Sequence, residues 1–332
     1  MILAPGRVDG PGLAAWLADR TNSPLTRFAP APTGGLHLGH VVNALFVWGL
    51  AGALGGRVVL RVEDHDRQRA RRAYEVGLLD DLDWLGLEPD AYPTEAFRAG
   101  ECDSRQSDRE PVYRAALAPL IEAGLVYGCA CSRRDIEARA AARPRPTEAE
   151  EPGELWYPGT CRDRGLPLTG DVGWRLRLPG GDVRFEDALC GKVVQVPAEQ
   201  CGDVLIRDRL GNWTYQWAVS VDDLRQDITL VVRGTDLLAS TGRQIQIAAL
   251  LGRPRPATFV HHPLLLKTPT RKLSKSDGDS GIAELRAAGW LPERVLGEAA
   301  FLVGLAPAGR RLHAADLPGL FATSVPPPSP LS

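Results

Sequence analysis

With 332 residues, the chain is long enough for two or three packed units, and its 44% hydrophobic and 24% charged content is that of an ordinary soluble protein. A formal charge of −2 excludes a global basic field, so an RNA partner must be held by local patches. The longest apolar run, 41–54, is too short to span a bilayer, the N-terminus lacks a secretory pattern, and six cysteines do not make a disulfide scaffold, so a cytoplasmic protein is expected.

Residues 1–24 read as a peripheral N-terminal extension with a short amphipathic piece at 13–19. A buried strand is expected at 26–29, then a Pro/Gly turn at 30–35 and a helix over 36–54. The β-branched run RVVLRV at 57–62 predicts a central strand. The spacing over 71–85 predicts a helix with Val76, Leu79, Leu82, Trp84 and Leu85 on its apolar face. Strand–helix–strand–helix order argues for an α/β fold with a parallel sheet and crossover helices. From 101 to 210 the alternation breaks. A helix over 112–124 precedes a cysteine motif, a solvated Arg/Pro/Glu-rich loop over 139–152 and an alternating segment at 173–187, together read as an inserted domain. Strand-and-helix patterning returns over 213–265, with a strand at 228–232 and a helix over 237–251. The pattern is helical from 281 to about 305, and the Pro-rich tail is expected to be disordered. The divisions are therefore 1–24, 25–100, 101–210, 211–265, 266–306 and 307–332.

Two short stretches carry the chemistry. Residues 30–40 read PAPTGGLHLGH, which places His37 and His40 one helical turn apart behind Gly34, Gly35 and Gly39. The glycines let backbone approach a phosphate closely, and a helix N-terminus favours an anion. The Gly34-to-Gly39 spacing mimics a P-loop, but His40 and Val41 stand where Lys and Ser/Thr are needed, and no dinucleotide fingerprint occurs in context. A metal-binding His pair lacks a third ligand at suitable spacing. Residues 271–278 read RKLSKSDG. Only four lysines occur in the chain, and Lys272 and Lys275 share this short loop, where a compact, mobile ammonium suits a departing pyrophosphate. Separately, Cys129, Cys131, Tyr157 and Cys161 could form a tetrahedral Zn²⁺ site, or the thiols could simply be free; 25 residues separate Cys131 from Tyr157. Cys102, Cys190 and Cys201 read as small buried hydrophobes.

The His and Lys stretches resemble the HIGH and KMSKS signatures of class I aminoacyl-tRNA synthetases, and the flanking residues resemble the glutamate-specific branch. The resemblance implies a Rossmann-type parallel sheet, an inserted α+β zinc-containing domain and a small helical C-terminal segment. It implies catalytic roles for His37, His40, Lys272 and Lys275, with ATP held by Gly34, Gly35, His37, Gly39, His40 and Lys275 together with Mg²⁺. L-Glutamate would be bound by Arg27, Phe28, Ala29, Pro30, Ala31, Glu63, Tyr215 and Arg233. Two arginines favour a carboxylate over a neutral amide, because a buried guanidinium facing an amide is undercompensated. A C-x-C…Y-x-x-x-C arrangement of that branch matches Cys129, Cys131, Tyr157 and Cys161 and implies one structural Zn²⁺ per chain. Only 56 residues follow Ser276, which matches the short glutamyl-queuosine synthetases rather than full-length enzymes with an anticodon-binding domain. That subfamily activates glutamate without tRNA and transfers it to the queuosine base at the wobble position of tRNA(Asp). A monomer is expected, with Arg133, Arg134 and Arg139 able to contact phosphates. The rivals are a truncated synthetase charging the 3′ end of tRNA(Glu) and a non-catalytic nucleotide- and RNA-binding paralogue.

Overall fold

The computed structural model describes residues 8–140, 155–268, 271–272 and 281–322. Helix α1 (Gly10–Ala18) is capped by Asp9, whose carboxylate accepts from the Gly12 N–H at 3.0 Å. Its Leu13, Ala14 and Leu17 are buried in the main core with Leu45, Leu317 and Phe321. One face of this helix is thus packed into the core, unlike the wholly peripheral extension expected from the Gly and Pro content.

Strand β1 (Leu25–Phe28) pairs in parallel with β2 (Arg57–Leu60) across helix α2 (Leu38–Ala53), with Arg27 opposite Val59. Helix α3 (Arg72–Leu85) buries Glu75, Leu78, Leu79, Asp81, Leu82 and Leu85. The predicted face is out of phase at one position: Val76 is 40% exposed, because Glu75 turns inward to accept from Arg105 Nη2 at 2.8 Å. Helices α4 (Thr94–Arg98) and α5 (Glu110–Glu122) follow.

Next come β3 (Val126–Cys129), α6 (Arg133–Ala140), β4 (Gly173–Leu176), β5 (Val183–Asp187), β6 (Gly191–Gln195), α7 (Pro197–Gln200) and β7 (Val204–Arg207). Strands β3, β4 and β7 form an antiparallel sheet of their own. The alternating segment 173–187 is therefore not one strand. Gly180 and Gly181 interrupt it, Gly181 at φ +95°, and the β5–β6 hairpin joins a different sheet. Cys190, at the tip of that hairpin, is exposed and not the buried hydrophobe expected.

Helix α8 (Tyr215–Arg225) leads to β8 (Leu230–Gly234), a 3₁₀ segment (Thr235–Ser240), α9 (Thr241–Leu250) and β9 (Thr258–His262). The helix expected over 237–251 is thus a 3₁₀ turn followed by an α-helix. Strand order is β6-β5-β9-β8, with β8 and β9 parallel, and a Thr229 N–H bond to Leu25 O (2.9 Å) ties β8 to β1. The chain continues through β10 (Leu266–Thr268), β11 (Arg271–Lys272), α10 (Ile282–Ala287) and α11 (Pro292–Leu302). Of the loop expected over 139–152, residues 139–140 close helix α6 and the rest lies outside the described residues, as does the end of the tail, 323–332. Among the described residues no helix is long and apolar enough to cross a membrane.

Asp81 is a polar group on the buried face of α3. Burial pushes its carboxyl up to about 6; Arg286 partly offsets this, whereas Asp80 and Glu284 add to it. The folded chain therefore holds a proton that the unfolded chain releases between pH 3.8 and about 6, so stability falls as pH rises through that window. Asp81→Asn should raise the melting temperature at neutral pH by about 3–5 °C and flatten its pH dependence below 6; thermal melts across pH check this.

Candidate active site

Four of the predicted residues lie at the C-terminal ends of the parallel strands, where open α/β sheets bind ligands. Arg27 and Phe28 end β1, Glu63 lies just beyond β2, and Arg233 is near the end of β8. Strand alternation sends Arg27 and Phe28 to opposite faces. Phe28 is buried toward α2, its ring 5.2 Å from that of Trp48. Ala29, Pro30 and Ala31 carry the chain from β1 toward the His motif, and the Pro30 carbonyl accepts from the Glu63 N–H at 3.1 Å.

His37 is the N-cap of α2. Its Nδ1 accepts from the Gly39 N–H (3.1 Å), while Nδ1 of His40 accepts from the His37 N–H (3.1 Å). The ring centroids are 4.0 Å apart. A Cβ at Gly39 would fall 2.9 Å from the His37 ring, so any larger residue there would displace that ring. At Gly35 a Cβ would meet nothing within 4 Å, and Gly34 beside it is buried.

Lys272 lies on β11, and Lys275 falls outside the described residues. Both flanks of their segment are nevertheless anchored to the His motif and its helix. Upstream, His262 stacks on Phe46 (5.1 Å) and its Nε2 is 3.1 Å from Asn43 Oδ1. Downstream, Gly281 bridges His37, and the Ile282 N–H donates to Leu36 O at 2.9 Å.

Four of the residues expected at glutamate, Arg27, Glu63, Tyr215 and Arg233, lie close together. Burial pushes the Tyr215 phenol above its ordinary range, and Arg233, Glu63, Arg27 and Asp223 lie close enough to act on its charge. Burial likewise raises the Glu63 carboxyl, against the pull of Arg61, His65 and Arg27. Arg27 donates to Asp223 Oδ1 (3.0 Å) and Val232 O (3.1 Å). Buried Arg61 shares the same Asp223 oxygen at 2.7 Å. Burial opposes the Asp223 charge, but these two guanidiniums hold its carboxyl below the ordinary range.

Arg233 differs. It is 4% exposed, and its contacts are neutral: Nε donates to His261 Nε2 (3.0 Å), Nη1 to Gln244 Oε1 (2.6 Å) and Nη2 to Thr241 Oγ1 (2.8 Å). Among the described residues it forms no ion pair. Behind it, His261 Nδ1 is 2.6 Å from Asp187 Oδ2. Sequence reasoning missed Asp223, Arg61, Asp187, His261, Gln244 and Thr241, which come from five separate stretches of the chain. The available signals were the Arg61-Val-Glu63 run and the double histidine closing a strand.

The sulfur atoms of Cys129, Cys131 and Cys161 lie within 4.8 Å of one another, with Cys131 and Cys161 at 3.6 Å. Tetrahedral zinc with Zn–S bonds of ~2.3 Å needs sulfurs ~3.8 Å apart, so the donor set fits that ion. Tyr157 Oη is 3.4 Å from Cys129 Sγ and accepts from the Cys161 N–H at 2.8 Å. Burial raises Cys131 to about 11, the Cys161 hydrogen bond adding to it. For Cys161 burial is outweighed by hydrogen bonds from the Ala130 backbone and the Cys131, Tyr157 and Cys129 side chains, which bring it down to about 7. Arg133, Arg134 and Arg139 are exposed on the adjoining α6.

Residues 25–314 match the family described as tRNA synthetases class I (E and Q), catalytic domain. A glutamyl-Q tRNA(Asp) synthetase of Rhodobacter capsulatus is 39% identical over 280 residues, 81% of this chain and 96% of that relative. A glutamate–tRNA ligase 2 of Syntrophus aciditrophicus is 37% identical over 85% of this chain, which spans only 58% of that relative. The crystal structure of glutamate-tRNA synthetase from Elizabethkingia anophelis superposes with a TM-score of 0.72 at 25% identity, covering 91% of this chain and 66% of that one. The family match extends over most of the chain, and the chain belongs to the class I glutamate- and glutamine-type tRNA synthetases.

Proposed function

We propose that the protein activates L-glutamate with ATP in the absence of tRNA and transfers it to the queuosine base at the wobble position of tRNA(Asp). The observation that carries the amino-acid choice is Arg233, a buried guanidinium with neutral partners only, among the described residues. A buried cation without a counter-charge is costly, and a substrate side-chain carboxylate supplies one through forked hydrogen bonds. Arg27, partly engaged by Asp223, adds positive field, Glu63 accepts from the α-ammonium, and Tyr215 closes the wall. Phe28, Ala29, Pro30 and Ala31 shape the segment that carries these groups.

The cap geometry supports the phosphate role. Nδ1 accepts in both His37 and His40, so the neutral rings carry their protons on Nε2 and are donors there. Gly34, Gly35 and Gly39 let the backbone approach the triphosphate, and Lys272 and Lys275 neutralise charge on the departing oxygens. Mg²⁺, when bound with ATP, screens the phosphate oxygens. A glutamate carboxylate oxygen attacks the α-phosphorus, the α–β bridging P–O bond breaks, and pyrophosphate leaves. The acceptor hydroxyl then attacks the acyl carbon, and AMP departs as the hydroxyl proton is released.

The acceptor reading draws on the glutamyl-Q tRNA(Asp) synthetase relative, of which the chain covers 96%. Glutamate-dependent ATP–pyrophosphate exchange without tRNA tests activation. Glutamylation of tRNA(Asp) with and without queuosine tests transfer. Equal labelling of both, or labelling of tRNA(Glu) at its 3′ end, would replace the acceptor assigned above. Cys129, Cys131 and Cys161, with Tyr157 as fourth donor, would hold a structural Zn²⁺ that fixes the end of β3. Metal analysis should find about one zinc per chain, falling well below that in Cys161→Ser, with lowered thermal stability.

A further inference from the structure

We propose that Asp187 and His261 are positioning residues for Arg233, and that this buried relay sets the affinity for the amino-acid side chain; the inference rests on the glutamate reading above. Asp187 and His261 are 1% and 0% exposed, so neither touches solvent or substrate. Asp187 is fixed first: Oδ1 accepts from the backbone N–H groups of Leu189 (3.0 Å) and Cys190 (2.8 Å), and Oδ2 from that of His261 (3.1 Å). The hairpin turn between β5 and β6 therefore orients the carboxylate. With Oδ2 2.6 Å from His261 Nδ1, the proton of a neutral imidazole sits on Nδ1. The lone pair on Nε2 is then left to accept from Arg233 Nε–H at 3.0 Å.

The consequence concerns Arg233. A carboxylate placed directly against it would neutralise the guanidinium and occupy two of its donors. A neutral imidazole takes a single N–H and leaves the charge in place. His261, Gln244 and Thr241 accept three N–H groups, which leaves one on each Nη, the pair that suits a bidentate carboxylate. The anion of Asp187 stands one imidazole behind, where it stabilises the cation without competing for the substrate. The relay also couples two sheet elements: Asp187 pairs with Phe259 in parallel register, and His261 with Arg233 across β9 and β8.

The test is amino-acid-dependent ATP–pyrophosphate exchange by Asp187→Asn, His261→Asn and His261→Gln, alongside the unaltered protein. In Asp187→Asn the amide N–H faces Nδ1, the imidazole proton moves to Nε2, and a donor then meets a donor at Arg233. His261→Asn reaches only toward Asp187 and withdraws the acceptor from Arg233. His261→Gln restores an acceptor near the Nε2 position. The expected result is a rise of about tenfold or more in glutamate KM for the two Asn variants, with kcat and ATP KM changed less than about twofold. His261→Gln should stay close to the unaltered protein. Unchanged glutamate KM in the Asn variants overturns the relay, as does a parallel loss in kcat and both KM values that His261→Gln does not rescue. If Asp187→Asn does not fold, the His261 pair decides the matter alone. Failure of the unaltered protein to exchange with glutamate sinks the functional reading itself and the relay with it.

Discussion

Arg233→Ala should raise the glutamate concentration needed for half-maximal ATP–pyrophosphate exchange about a hundredfold or more, with ATP KM nearly unchanged. Removing one partner of a buried, hydrogen-bonded charge pair costs roughly 2–5 kcal/mol, and each 1.4 kcal/mol is about tenfold in affinity. The upper part of that range applies because the guanidinium is buried and its neutral partners are left facing a cavity. Arg233→Lys should recover little. A point ammonium cannot donate to His261, Gln244 and Thr241 and also present a fork to substrate. Selectivity against glutamine should fall in both variants, since much of it comes from the mismatch between an unneutralised guanidinium and an amide. Steady-state exchange at varied glutamate, glutamine and ATP, with a melt to verify folding, decides this. A glutamate KM within twofold of the unaltered protein would mean the side-chain carboxylate binds elsewhere.

Arg233 also shows how far the sequence could be read. Its position at a strand end, ahead of Gly234, Thr235 and Asp236, marks it as a candidate for a ligand-facing residue. Local pattern carries such information, because strand ends, caps and turns are set by neighbours in the chain. The same holds for the α2 cap, where His37 and His40 are three residues apart, and for β1 and β2. What local pattern does not carry is which groups fold behind the site. Asp187 and His261 are 74 residues apart, and Arg27 and Asp223 are 196 apart. No spacing rule links them; tertiary packing does. The errors have the same origin. Val76 looks like a core residue in a 3.6-residue period, but Arg105, 30 residues beyond Glu75, draws Glu75 inward and sets the helix phase. Alternation over 173–187 is equally compatible with one strand or with two in different sheets, and only the Gly pair hints at the break. The N-terminal helix is short and weakly patterned, and its place in the core depends on residues near 317–321.

The phosphate end of the site yields the second large effect. His40→Ala should slow adenylate formation by roughly 10²–10³-fold with little change in glutamate KM, the scale seen when one preorganised donor to a developing oxyanion is removed. Alanine also removes a cap contact worth ~1 kcal/mol, so it mixes catalysis with stability. The geometry offers a way to separate them. The cap uses Nδ1 of His40, and the proposed phosphate donor is Nε2. Asparagine places an acceptor near Nδ1 and nothing near Nε2. His40→Asn should therefore melt close to the unaltered protein yet remain slow in single-turnover adenylation. Glutamine extends an amide N–H toward the Nε2 position while weakening the cap, so His40→Gln should melt lower but recover part of the rate. A cap-only role for the histidines requires the opposite order: His40→Asn would exchange at the full rate, and His40→Gln would be the impaired variant. Because the two substitutions differ by one methylene and exchange the two functions of one ring, their rank order assigns the donor without an absolute rate.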